Sequence, residues 1–155
     1  MPNIELLAKI ASSQEFLCIY CNLRMRWPRY THVIKPTTVT KEHLKAKHHN
    51  GTDDISNLAA ACSRCNVMRG HMDIDVFRSI LTKLFTIEYI KQNWHSTEPN
   101  VERFIRKIFQ YEVDVALAHE NEEAAARVVT RRHKYSVDEL AAMTTPFEEI
   151  IPLVH

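Results

Sequence analysis

Glycine is scarce in this chain of 155 residues: there are two, beside six prolines, which excludes a collagen-like or low-complexity polymer. Long apolar runs are missing as well. None approaches the roughly 18 to 20 residues that span a bilayer, and the N-terminal region lacks the apolar stretch of a signal peptide. The expectation is a cytoplasmic protein with no membrane partner. In that reducing compartment the four cysteines point to a metal rather than to disulfides. Net charge is nearly absent, at +1, but it is unevenly spread: residues 1–73 hold ten Lys/Arg against six Asp/Glu, and residues 74–155 hold ten against thirteen. A positive excess in the first half lies where a phosphate backbone would need it. A zinc tetrathiolate there would return two negative charges to the same half, so charge alone does not identify a partner. No internal repeat is present, and the length suits one domain, or a small domain with a helical extension.

What the chain does have is concentrated in residues 38–71. Glu42 and His43 are adjacent; Asn57-Leu58 follows, then Cys62-Ser63-Arg64-Cys65-Asn66, and Arg69-Gly70 closes the run. A second Cys-x-x-Cys, Cys18 and Cys21, lies upstream. Its short turn lets both sulfurs face one ion while backbone N–H groups point at them. Residues 2–11 read as a short helix with Ile4, Leu7 and Ile10 on one face. Residues 38–43 alternate and are β-branched, so a strand should end at His43. Residues 48–54 are turn chemistry, with Asn50-Gly51 the strongest hairpin cue. A second short strand at 58–61 and a helix at 62–69, stopped by Gly70, complete a strand, loop, strand, helix order.

The remainder reads as helical. Asp73 caps a helix running to about residue 94, with Ile74, Phe77, Leu81, Leu84 and Phe85 facing inward. Pro99 opens another with Val101, Phe104, Ile105, Ile108 and Val115 as its stripe, continuing toward residue 127. Ser136-x-x-Glu139 is a capping box for a third at 137–143, and Pro146 and Pro152 mark a loose tail. Two readings stand for residues 22–37, where Arg24, Arg26, Arg29 and Lys35 interleave with Trp27 and Tyr30: a DNA-backbone contact, or a solvated loop whose Trp caps the core. The same choice applies to Arg127, Arg131, Arg132, His133 and Lys134.

The residue types in the central stretch suit phosphodiester hydrolysis. That reaction needs a group to take a proton from water and a cation to stabilise charge on the leaving oxygen. His43 is suited by type to the first role near neutral pH. The Glu42 carboxylate and the Asn66 amide oxygen are hard donors that favour Mg²⁺ or Mn²⁺. Cys18, Cys21, Cys62 and Cys65 favour Zn²⁺ in a closed, structural site. Forty residues separate the two pairs, more than the ~15–20 of a compact zinc ribbon, as expected if a catalytic hairpin is inserted between them. Asn57 can bond backbone across the loop and hold the strand of His43 in place.

These residues resemble the HNH endonuclease family, of ββα-metal fold. Thr40-x-Glu42-His43, Gly51-x-Asp53-Asp54-x-x-Asn57-Leu58 and Ala61-Cys62-x-x-Cys65-Asn66-x-x-Arg69-Gly70 carry the resemblance over roughly residues 16–72. The matching branch has a four-cysteine zinc site and Asn in place of the last His. It implies His43 as general base, Asn57 as the structural Asn, Glu42 and Asn66 as ligands of catalytic Mg²⁺ or Mn²⁺, and the four cysteines as ligands of structural Zn²⁺. Two departures stand out. Glu42 occupies a position where the family often has Asp, and its extra methylene moves the carboxylate by about 1.5 Å. The stretch after His43 is Leu44-Lys45-Ala46-Lys47-His48-His49 rather than one leading to Pro and Gly-Gly.

The expectations are therefore an α+β, mainly α chain, with an HNH core and zinc site in residues 1–72 and a helical extension packed on or beside it in residues 73–155. The expected activity is metal-dependent hydrolysis of DNA, with Lys45, Lys47, Arg64 and Arg69 as DNA contacts and a homodimer through the helical half as a further possibility. The alternative is a zinc-stapled nucleic-acid-binding module without chemistry. His48, His49 and His71 stand as candidate extra ligands or as exposed loop histidines.

Overall fold

The computed structural model describes residues 2–28 and 34–120. Helix α1 (Pro2–Ser13) begins on a proline, which is pre-organised for a first helical position, and buries Ile10 and Ala11. Glu15 and Phe16 then turn the chain through positive φ (56° and 59°), and the Phe16 N–H closes the turn on the Ala11 carbonyl at 2.8 Å. Strands β1 (Val39–His43) and β2 (Leu58–Cys62) pair antiparallel, in a register that sets Val39 opposite Cys62 and His43 opposite Leu58. Helix α2 (Ser63–Arg69) follows directly, and these three elements form the expected ββα unit. Among the described residues the fold is α+β and mainly α.

The strands are not joined by a tight turn at Asn50-Gly51. Residues 44–57 form a longer loop with 3-10 turns at Lys47–His49 and Ile55–Asn57. Asn50 caps the first of these turns in the left-handed region (φ 66°), so its turn chemistry shapes the loop's interior instead of closing a hairpin. Gly70 ends α2 at φ 55°, ψ −124°, a conformation open essentially to glycine alone.

The helix expected over 73–94 is two helices. Asp73 caps α3 (Ile74–Leu84) by accepting from the Asp75 N–H, and Phe77, Ile80, Leu81 and Leu84 are buried. Thr86 and Ile87 then interrupt the helix, with Ile87 extended (φ −95°, ψ 109°), before α4 (Glu88–Gln92). The break redirects the chain so that Ile90 and Trp94 both enter the core, where Phe85 meets Trp94 edge-on at 5.3 Å. Phe77 meets Tyr20 in the same way at 5.0 Å. In the segment before β1, Met25 takes the buried place and Trp27 is exposed.

The chain divides into two compact units, residues 1–97 and 98–155. The first unit holds the motif together with α3 and α4. In the second unit α5 (Pro99–Glu120) carries a buried stripe of Ile105, Ile108, Phe109 and Val113, shifted along the helix from the expected one. Arg29, Tyr30, the basic cluster at 127–134, the capping box at Ser136 and Glu139, Pro146 and Pro152 lie outside the described residues. Among those described, no helix is long and apolar enough to cross a membrane.

Candidate functional site

Two groups of side chains lie at opposite ends of the β1–β2 pair. At the first, the turn after α1 is locked to β2 by one side chain: the Gln14 amide donates to the carbonyls of Leu17 and Ala60 and accepts from the Ala60 N–H, each at 2.9 Å. Cys18 and Cys21 sit on the next turn, which Asn22 closes at φ 58° with its N–H on the Cys18 carbonyl. Cys62 ends β2 and caps α2; Cys65 lies in the first turn of α2. All four cysteines are buried, and their sulfurs lie within 4.8 Å of one another.

Backbone N–H groups point at the sulfurs as expected: Tyr20 and Cys62 donate to Cys18 Sγ at 3.4 and 3.3 Å, and Cys65 donates to Cys62 Sγ at 3.4 Å. Trp94, fully buried, adds its indole N–H to Cys65 Sγ at 3.2 Å. Hydrogen bonds from Cys18, Cys21 and Cys65 hold the Cys62 thiol far below its ordinary range, whereas burial pushes Cys65 up. A tetrahedron with Zn–S bonds of ~2.3 Å has edges of ~3.8 Å, and Cys21 Sγ and Cys62 Sγ are 3.8 Å apart. The cluster fits a structural zinc ion.

At the other end, strand alternation sends Thr40 and Glu42 toward α2 and His43 to the opposite face. Asn66 donates its amide to Thr40 Oγ1 at 2.9 Å and to the Lys41 carbonyl at 3.3 Å, so it shares a face with Glu42. Glu42 is 7% exposed. Its Oε1 accepts from the His43 N–H at 2.9 Å, and its buried Oε2 has no hydrogen-bond partner. Burial raises the Glu42 pKa, against the pull of the Arg69 cation. An acidic oxygen left in this state is a natural place for a hard cation.

Asn57 bonds backbone across the loop. Its Oδ1 accepts from the Lys45 N–H at 2.8 Å, and its Nδ2 donates to the carbonyls of Lys45 (3.1 Å) and Thr52 (2.8 Å). His43 Nε2 lies 2.8 Å from Asp53 Oδ1, and Lys47 Nζ lies 2.9 Å from Asp53 Oδ2. Lys45 and Lys47 are exposed.

Arg64 and Arg69, read from the sequence as surface contacts, are buried, at 4% and 3% exposed. Helix α2 is short and buries most of its circumference, so both guanidinium groups serve the interior. Arg64 donates to the Ser96 carbonyl at 2.8 Å. Arg69 donates to the carbonyls of His43 (2.7 Å), Leu44 (2.7 Å) and Met72 (2.9 Å) and to the Tyr20 hydroxyl (2.7 Å), and it stands 3.6 Å from Glu42 Oε2. It fixes the end of β1 beside both Glu42 and His43. Burial, with the Glu42 charge behind it, pushes the Tyr20 pKa well above the usual range. His48 and His71 stack at 4.7 Å and His49 Nε2 meets the His71 carbonyl at 2.9 Å, but among the described residues only the cysteines form a group with metal-holding geometry.

Sequence reasoning missed Asp53, Tyr20 and Trp94 as parts of these sites. Asp53 stood inside the quoted Gly51-x-Asp53-Asp54 spacing, which was a usable signal; Tyr20 and Trp94 had none. Residues 18–72 match the family model described as HNH endonuclease. No curated protein and no solved structure matches the chain.

Proposed function

We propose that this chain, whose residues 18–72 match the HNH endonuclease family model, is a metal-dependent endonuclease hydrolysing DNA phosphodiester bonds. His43 is the general base, and Glu42 and Asn66 hold a Mg²⁺ or Mn²⁺ ion. The four cysteines hold structural Zn²⁺, and Asn57 staples the loop. One observation carries the reading. Glu42 and His43 are neighbours at the end of one strand, so their side chains leave it on opposite faces, with Glu42 on the face where Asn66 bonds Thr40 and bearing a buried oxygen that has no hydrogen bond and lies 3.6 Å from the Arg69 guanidinium. In-line displacement needs this division, because the attacking water and the departing oxygen lie on opposite sides of phosphorus.

In this mechanism His43 takes a proton from water as its oxygen attacks, and exposed Lys45 and Lys47 meet the flanking phosphates. The bound divalent ion supplies stabilisation of charge on the leaving oxygen. Arg69 holds the His43 and Leu44 carbonyls, which keeps base and carboxylate in register. One such site cuts one strand per visit, so a double-strand break requires a second copy or a second encounter.

A zinc-stapled DNA-binding module without chemistry is favoured by one observation: Glu42 is 7% exposed with a guanidinium 3.6 Å from its free oxygen. Supercoiled plasmid incubated with Mg²⁺, Mn²⁺ or EDTA decides between them. Wild type is expected to nick or linearise plasmid only with the divalent ion, and His43→Ala to be slower by about 10²- to 10⁴-fold while still retarding DNA in gels. Cleavage that persists at the wild-type rate in His43→Ala overturns the assignment of the base.

A further inference from the structure

We propose that Asp53 is a positioning residue that holds the His43 imidazole with its proton on Nε2, leaving Nδ1 as the atom that accepts a proton from water. This rests on the reading of His43 as general base and assigns that base its partner and its working nitrogen.

The loop between the strands is built to bring Asp53 to this place. The Asn57 amide ties both backbone groups of Lys45 to the carbonyl of Thr52, the residue before Asp53. Independently, the Gly51 N–H donates to the Ala46 carbonyl at 2.9 Å. A Cβ at Gly51 would fall 1.7 Å from the Lys45 carbonyl oxygen, so only glycine admits this approach. Two devices therefore pin residues 51 and 52 against residues 45 and 46, just beyond His43. Asp53 comes next in the chain, and its two oxygens reach His43 Nε2 at 2.8 Å and Lys47 Nζ at 2.9 Å.

The chemistry follows from the donor inventory. An ionised carboxylate only accepts hydrogen bonds, so the ring nitrogen facing it must carry the proton. The bond from His43, then that from Lys47, holds the Asp53 carboxyl down at about 2, so it is ionised at any working pH. A neutral imidazole has one N–H, which leaves the lone pair on Nδ1. The step is one proton transfer: a water O–H breaks, Nδ1–H forms, and the water oxygen bonds to phosphorus as the ester oxygen leaves. The imidazolium so formed faces the Asp53 carboxylate, which stabilises it. Lys47 on the second oxygen restrains the carboxylate from turning away. Asp53 is 62% exposed, and ion pairs that exposed contribute little to folding, so its removal should be felt in chemistry before stability.

The test uses the full chain labelled with ¹⁵N-histidine, at a pH about two units above the ordinary histidine value of ~6.5. Long-range ¹H–¹⁵N spectra of wild type, Asp53→Ala and Asp53→Asn are compared, and signals lost in His43→Gln identify the ring. In wild type the His43 proton is expected on Nε2 and protected from solvent exchange. In Asp53→Ala it should exchange rapidly, with the two nitrogen shifts converging as tautomers mix. Asp53→Asn should restore much of the wild-type pattern, because the amide oxygen accepts the same bond. A wild-type proton on Nδ1, or an Asp53→Ala spectrum identical to wild type, overturns the proposal. In plasmid cleavage, Asp53→Ala should lower kcat by about 10- to 100-fold with KM little changed, and Asp53→Asn should recover most of it. A change confined to KM would make Asp53 a substrate contact and also overturn the proposal. If wild type cuts nothing, the nuclease reading fails, while the spectra still decide whether Asp53 sets the His43 tautomer.

Discussion

The two ends of the β1–β2 pair lie about 14 Å apart along five-residue strands; one buries four thiols and the other a single carboxylate. They do so in opposite ways. At the cysteine end every contact is closed: four sulfurs in mutual reach, N–H groups from Tyr20, Cys62, Cys65 and Trp94 on them, and room for one tetrahedral cation. At the Glu42 end the frame is polar and incomplete. Arg69 and Asn57 fix backbone through single side chains, His43 is partly exposed, and one carboxylate oxygen has no hydrogen bond. A closed site can only hold an ion. On the proposed reading, the incomplete one is where water and substrate would enter.

Breaking the closed end should have the largest effect. Cys62→Ser removes one thiolate from the four while leaving a hydroxyl that can still cap α2 through the Cys65 N–H, so it tests the metal staple rather than the cap. Structural zinc binding is worth ~10–16 kcal/mol in small zinc domains, as much as the ~5–15 kcal/mol that holds a typical domain folded. The variant should retain no zinc by metal analysis and show no cooperative melt for residues 1–97. A zinc-free variant that still melts cooperatively would show that the staple is dispensable.

The other end should fail more gently. Asn57→Ala loses three hydrogen bonds in a partly exposed loop, at about 0.5–1.5 kcal/mol each when net of water. A loss of about 2 kcal/mol in denaturant unfolding is expected, with zinc content unchanged and plasmid cleavage strongly reduced. Loss of zinc in this variant would mean that the two ends are not separable.

What the sequence revealed of these two ends follows from how local each device is. The cysteine pairs each stand at a fixed short spacing, so their gathering into one cluster could be read from residue type and order. The ββα order was readable for the same reason. Arg64 and Arg69 were not: a cation in a motif reads as a surface contact, and only the packing of a short helix turns both inward. Trp94 was also hidden, because it reaches Cys65 from 29 positions away, across a helix break that the apolar period runs straight through. The same docking explains why the motif's compact unit extends to residue 97.

The smallest expected effect bears on the carboxylate itself. Burial raises the pKa of Glu42 in the folded chain, with Arg69 opposing only in part. A group whose folded pKa lies above its unfolded value favours the fold while protonated, and that contribution is lost as pH rises through the folded pKa. At neutral pH the ionised Glu42 therefore costs stability that Glu42→Gln, of nearly the same shape, does not. With zinc bound and no other divalent ion added, Glu42→Gln should melt above wild type at pH 7 to 8. The gap should close as pH falls toward the ordinary carboxylate value of ~4.3 and wild-type Glu42 takes up its proton. Adding Mg²⁺ or Mn²⁺ should raise the wild-type melting temperature and leave that of Glu42→Gln unmoved, because only a state that binds the ion is stabilised by it. A variant less stable than wild type throughout would mean that the Arg69 pairing outweighs desolvation, and that the carboxylate at this end is held by the fold rather than left open for a cation.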